Sequence, residues 1–148
     1  MQVLGHVAGL KKKMDSKLEE ILRKSTFRVE AGRFAYAKVR SVPAEGNHFM
    51  IARDNSEITV VTGEENLRHL DLIERNKDTY ALIMLNAYLP FYSTGFIAAV
   101  SDAVAGTNNN VLVVSTYSRD YILVDINAVD AARSALAALG LTEVVRRE

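Results

Sequence analysis

Apolar and polar positions alternate with two different periods along this chain, and each change of period marks an element. Thr79–Asn86 (TYALIMLN) is an apolar run of strand length. Beyond the loop that follows, Ser93-Thr94 are placed to cap a helix running to Gly106, with Thr94 as N-cap and Phe96, Ile97, Val100 and Val104 as its apolar stripe. Val111–Thr116 (VLVVST) and Asp120–Val124 (DYILV) read as strands joined by the turn Tyr117-Ser118-Arg119. A second helix is predicted over Asn127–Leu139, capped by Asn127 and stopped by Gly140, with Val129, Ala132, Leu136 and Leu139 on one side. Leu141–Val145 closes the series. The order is βαββαβ, the ferredoxin-like split fold.

The first half repeats that outline in shorter form. Phe27–Glu30 is a short strand ended by the turn Ala31-Gly32. Arg33–Arg40 alternates, with Phe34, Tyr36, Lys38 and Arg40 on one face and Ala35, Ala37 and Val39 on the other. A loop over residues 42–47 stands where the second half has a helix. His48–Arg53 (HFMIAR) and Glu57–Val61 (EITVV) flank Asp54-Asn55-Ser56, a tight hairpin loop. Glu64–Leu70 reads as a short helix, Asp71–Arg75 as a short strand and Asn76-Lys77-Asp78 as a polar linker. Direct residue identity between the halves is too low to define a repeat.

Ahead of both halves, Val3, Val7, Leu10, Met14, Leu18, Ile21 and Leu22 recur at spacings of three and four, an amphipathic helix that ends at Ser25-Thr26. The expected fold class is α+β. Two ferredoxin-like units pack side by side, since each sheet alone leaves a face and an edge uncovered. Residues 1–25 form the N-terminal amphipathic helix, 26–76 a first, incomplete unit and 77–148 a second, complete one. The stripe of the N-terminal helix is too long to leave in water, and it is expected to contribute to a homodimer.

Composition narrows the chemistry. Eighteen basic residues balance 18 acidic ones, so no positive field recruits nucleic acid or an anionic membrane, and neither is expected as a partner. The single basic run, Lys11-Lys12-Lys13, reads as a solvated helix face. Without cysteine there is no disulfide framework, thiolate metal site or cysteine nucleophile. The apolar stretches are too short to span a membrane and the N-terminus reads as lacking a signal-peptide core, so the expected location is cytoplasmic. His6, His48 and His69 lie on three elements without ligand spacing, and no G-x-S-x-G, P-loop or G-x-G-x-x-G occurs. No catalysis, metal or cofactor is expected.

A few residues could carry binding, and each has a plain alternative. Ser93-Thr94-Gly95 begins a helix whose free N–H groups can take an anion, or is simply a cap. Asp120, beside Thr116 and Tyr117, can hold an ammonium or guanidinium, or can brace its own turn. Asn108-Asn109-Asn110 suits a tight turn. Tyr88, Phe91 and Tyr92 can wall a pocket or cover an edge.

GRFAYAKV (Gly32–Val39), HFMIARDNSEITVV (His48–Val61), FYSTGFIAAVSDAVA (Phe91–Ala105) and above all NVLVVSTYSRDYILV (Asn110–Val124) resemble the ACT-domain family. Within it, the likeness is to the small tandem ACT proteins related to the regulatory domains of aspartate kinase and to the cytosolic arginine sensor of eukaryotes. The resemblance implies a regulatory or sensor module that binds a small molecule, an amino acid or similar metabolite, between paired units and without catalysis. It implies a ligand site drawn from Tyr92, Ser93, Thr94, Gly95, Phe96, Asn110, Thr116, Tyr117 and Asp120, with the helix start facing Thr116–Asp120. The alternative is a ligand-free structural module that oligomerises through protein–protein contacts. The N-terminal helix and the aromatic-rich loop Asn86–Tyr92 depart from the family pattern.

Overall fold

Tyr80–Asn86 buries six consecutive side chains before the exposed Asn86. A strand apolar on both faces needs cover on both, and this one supplies the middle of the molecule. The computed structural model describes residues 15–90 and 93–145. Among the described residues, nine strands form one mixed sheet: β1 (Thr26–Val29), β2 (Phe34–Val39), β3 (Met50–Arg53), β4 (Ile58–Gly63), β5 (Leu72–Arg75), β6 (Tyr80–Asn86), β7 (Leu112–Ser115), β8 (Asp120–Asp125) and β9 (Thr142–Glu143). The helices are α1 (Ser16–Lys24), α2 (Phe96–Ala105) and α3 (Val129–Leu139). The fold is α+β.

One edge of β6 pairs with β8 from Tyr80↔Asp125 to Leu85↔Asp120, and β8 pairs in turn with β7. Its other edge is shared. β1 takes Ile83–Asn86, and Phe34 of β2 meets Tyr80. β2 pairs along its length with β4, which pairs with β3, while β5 lies on the opposite edge of β2. In both halves, therefore, the first strand neighbours the third and the third neighbours the second (β2–β4–β3 and β6–β8–β7), the order of a split βαβ unit. β1, grouped above with residues 26–76, takes its ladder partners among the described residues from the second half, between β6 and a parallel β9.

The two faces of β6 serve separate cores. Ala81, Ile83 and Leu85, with Phe27, Ile122 and Val124, lie under the helices against Leu22, Phe96, Val100, Val104 and Leu136. Tyr80 and Leu82 lie on the opposite face, with Val61 and Leu123. There Tyr36 meets Tyr80 edge-on at 5.6 Å, and Phe49, next to β3, meets Tyr121 of β8 at 4.8 Å. β3 and β8 are four places apart in the strand order. The sheet thus curls until its two wings touch, in the sense that strand twist allows.

Helix α1 is nine residues long, too short to persist alone. Asp15 caps it by accepting from the Lys17 N–H at 3.1 Å. Burial holds it, since Ile21 and Leu22 are 4 % and 0 % exposed and each contributes about 1.5–3 kcal/mol. This corrects the expected interface: Leu18, Ile21 and Leu22 pack into the chain's own core. Val3, Val7, Leu10 and Met14 lie outside the described residues.

Two caps also differ from expectation. At α2 the N-cap is Gly95 in left-handed conformation (φ 86°), not Thr94, and no side chain caps the helix. At α3 the chain first makes a 3-10 turn over Ile126–Ala128, whose Asp125 carboxylate accepts from the Asn127 N–H at 2.8 Å. The capping side chain is thus Asp125, and Asn127 takes part through its backbone N–H. The short helix of the first half is also 3-10, over Glu64–His69.

Candidate functional site

Register brings the site together. Leu85, at the end of β6, pairs with Asp120, the first residue of β8, and Asp120 pairs with Ser115, the last residue of β7. On this rung the Ser115 hydroxyl donates to Asp120 Oδ1 at 2.5 Å. The turn beyond it closes with the Thr116 N–H donating to the Arg119 carbonyl at 2.8 Å, and the Thr116 hydroxyl donates to the same oxygen at 3.1 Å. A recess of about 190 Å³ lies against this hairpin end, lined by Leu85, Ala87, Pro90 and Ser115–Asp120. It is below the roughly 300–1,000 Å³ of pockets for drug-sized ligands and suits a small metabolite.

The loop after β6 forms the other wall, and α1 holds it. Ser25, fully buried at the end of α1, donates its hydroxyl to the Ile21 carbonyl at 2.6 Å and accepts the Tyr88 N–H at 2.9 Å. Lys24 lies over the Tyr88 ring, 4.8 Å from its centre. Further on, the Ser93 hydroxyl donates to the Leu89 carbonyl, folding the loop back before α2. Gly95 follows in a conformation that disfavours other residues, and a Cβ there would stand 3.2 Å from Leu18 Cδ2 of α1.

Of the residues expected at the site, Thr116, Tyr117 and Asp120 line the recess. Ser93, Thr94 and Gly95 come next after the loop without lining it, the Ser93 hydroxyl being taken by Leu89. Phe96 is 2 % exposed in the core under the sheet, so its ring is occupied with packing. Asn110 is exposed and precedes β7 at the end opposite Ser115, because the α2 crossover returns the chain to the far side of the sheet. It is not brought to Asp120. Tyr92 lies outside the described residues. Leu85, Ala87, Pro90, Ser115, Ser118 and Arg119 were missed, though pairing of the two adjacent strand ends would have pointed to Leu85 and Ser115 and the turn itself to Ser118 and Arg119. Among the described residues, no group of three or more His, Cys, Asp or Glu could hold a metal ion, and no helix is long and apolar enough to cross a membrane.

The recess joins one carboxylate, hydroxyls and the Arg119 side chain. Such a mixed lining can bind a molecule carrying both signs of charge by charge-assisted hydrogen bonds.

Residues 75–138, which contain the whole recess, match the family model of the ACT domain. The resemblance carried by the strand and helix motifs is thereby shown for that segment. Solved structures share the fold. A Vibrio cholerae protein of unknown function, described as a possible transport protein, superposes with a TM-score of 0.72 at 20% identity over 84% of this chain and 96% of its own. An Agrobacterium tumefaciens protein gives 0.69 at 19% identity, over 84% and 95%. The regulatory subunit of aspartate kinase from Thermus thermophilus, in its ligand-free form, gives 0.58 at 11% identity, over 76% and 95%. No curated protein sequence matches the chain. ACT domains are in general regulatory modules that bind small molecules.

Proposed function

We propose that this chain is a non-catalytic regulatory or sensor module, and that it binds an amino acid in the recess between the end of β6 and the β7–β8 turn. The observation that carries the reading is Asp120, a carboxylate braced by Ser115 on the last rung of the hairpin and facing a recess of metabolite size. In this reading Asp120 takes the ammonium and Arg119 faces the carboxylate, while Thr116 and Tyr117 supply hydroxyls. Tyr92, Ser93, Thr94 and Gly95 are the residues that the family resemblance adds to this site. Phe96 and Asn110 play no part. Support comes from the ACT match across these residues and from the fold shared with an aspartate kinase regulatory subunit.

The same reading treats β2–β5 and β6–β9, with β1 joined to the second, as two ACT-type units and takes the working form as a homodimer, to which the apolar residues Val3, Val7, Leu10 and Met14 contribute. Calorimetric titration tests the site with the amino acid that most stabilises the fold. Asp120→Ala weakens binding by well over tenfold while the melting temperature of the free protein stays put. Unchanged affinity would remove Asp120 from the site. A protein indifferent to every amino acid would favour the ligand-free oligomerisation module.

A further inference from the structure

The two halves share more than strand order. At the end of β2, Val39 pairs with Ile58 and Ile58 with Arg53, as Leu85 pairs with Asp120 and Asp120 with Ser115 at the end of β6. A four-residue turn closes each hairpin, over residues 54–57 and 116–119. The same hydrogen bond spans both, from the first N–H to the last carbonyl: Asp54 to Glu57 at 3.1 Å and Thr116 to Arg119 at 2.8 Å. In each turn the first side chain is the brace. Asp54 Oδ1 accepts from the N–H groups of Ser56 and Glu57 at 2.7 and 2.9 Å, and the Thr116 hydroxyl donates to Arg119. The segments read RDNSEI and STYSRD, alike only at one serine, so the letters conceal the equivalence.

A recess lies beside this second turn too, between the end of β2, the turn itself and Ile73 of β5, with a volume of about 360 Å³. Residues 40–49 run as a loop where the other half has a helix.

We infer that the recess at the end of β2 is a second ligand site, the structural counterpart of the first, and that it takes a small carboxylate. The inference rests on reading the first recess as a ligand site, and the charges decide what the second one prefers. Its lining has Lys38, Arg40 and Arg53 against Asp54 and Glu57, an excess of one positive charge, where the first has Arg119 against Asp120. Arg40 is held by the Asp71 carboxylate at 3.0 Å and the Leu72 carbonyl at 3.1 Å. Lys38 lies 3.6 Å from Glu57. Asp54 is turned onto its own turn. Arg53 makes no ion pair among the described residues. Its guanidinium fork, at the position of Ser115 in the first recess, is the group left to receive a carboxylate.

The test is a titration of the full ¹⁵N-labelled chain with sodium succinate, against sodium chloride at equal ionic strength. Saturable shifts are expected at the amides of residues 53–57. Arg53→Gln, a change at an exposed side chain, weakens them about tenfold, as loss of a charge-assisted hydrogen bond does, and Asp120→Ala leaves them unaltered. Shifts that follow sodium chloride, fail to saturate or survive Arg53→Gln overturn the inference. The parent reading fails separately: amino acids that leave Ser115–Asp120 unmoved, while succinate still moves residues 53–57, would remove the first site and keep the second.

Discussion

Ser25 links the N-terminal helix to the loop that walls the recess, and Ser25→Ala measures that link. The side chain has no exposure, and its oxygen makes two bonds, one donated to Ile21 at 2.6 Å and one accepted from the Tyr88 N–H at 2.9 Å. The substitution keeps the backbone bond from Ser25 to Leu22 and deletes both others. An orphaned donor costs about 1–3 kcal/mol when buried, and a lost ordinary bond about 0.5–1.5 kcal/mol. Tyr88 is half exposed, so water recovers part of the first figure, and the expected loss is about 1.5–3 kcal/mol. For a chain of this size each kcal/mol lowers Tm by roughly 2–4 °C, so the fall is about 3–12 °C. With a urea m-value near about 2 kcal/mol/M, the midpoint drops by about 0.7–1.5 M at unchanged slope. The chain has no tryptophan, so circular dichroism reports the transition. Hydrogen exchange at the Tyr88 amide speeds up in parallel. An unmoved midpoint together with unchanged Tyr88 exchange would show that α1 does not hold this loop through Ser25.

Other consequences follow from the same contacts. Glu64 accepts from Arg33 at 2.9 Å and from Arg75 and Thr79 at 3.0 Å each, and these bonds, Arg33's first, hold its carboxyl below the usual range. A depressed acid stabilises above its unfolded value of about 4.3 and loses that contribution as pH falls through the lower folded value, so Glu64→Gln should flatten the acid limb of stability below about pH 4.3; an unchanged limb in urea midpoints measured against pH contradicts this. Residues 26–76 expressed alone should not fold, because β1 loses β6 and β9, and Val61 loses Tyr80, Leu82 and Leu123; a dispersed NMR spectrum would refute it. The full chain should sediment as a dimer and a chain starting at Asp15 as a weaker one, whereas a monomeric full chain or an equally firm truncated dimer removes residues 1–14 from the interface.

What could be read from the residues depended on how local the determining interaction was. The alternation of β2 and the apolar run of β6 reflect burial on one face or two, and both strands lie where that periodicity places them. The hairpin that presents Asp120 was legible for the same reason, since its turn and strands are contiguous. β1 was visible as a strand but not as a partner of β6 and β9, because four residues carry no signal for pairing across 58 positions from Phe27 to Leu85 or 116 to Glu143. Ser25 read only as the end of a helix; its bond to Tyr88 spans 63 positions. Thr94 looked like a cap because serine and threonine favour that position, yet a left-handed Gly95 let the chain enter α2 without one. Asn110 was grouped with Asp120 on the family resemblance, although β7 runs between them from one end of the sheet to the other.

The central claim is that a small metabolite occupies this fold, and a thermal-shift screen of the full chain against the twenty amino acids tests it most directly. A ligand at about a hundred times its dissociation constant stabilises the folded state by roughly 2.7 kcal/mol, or about 5–10 °C here. The account predicts such a rise for at least one amino acid, strongly reduced in Asp120→Ala. A flat response to all twenty, or a rise that Asp120→Ala leaves intact, would contradict it.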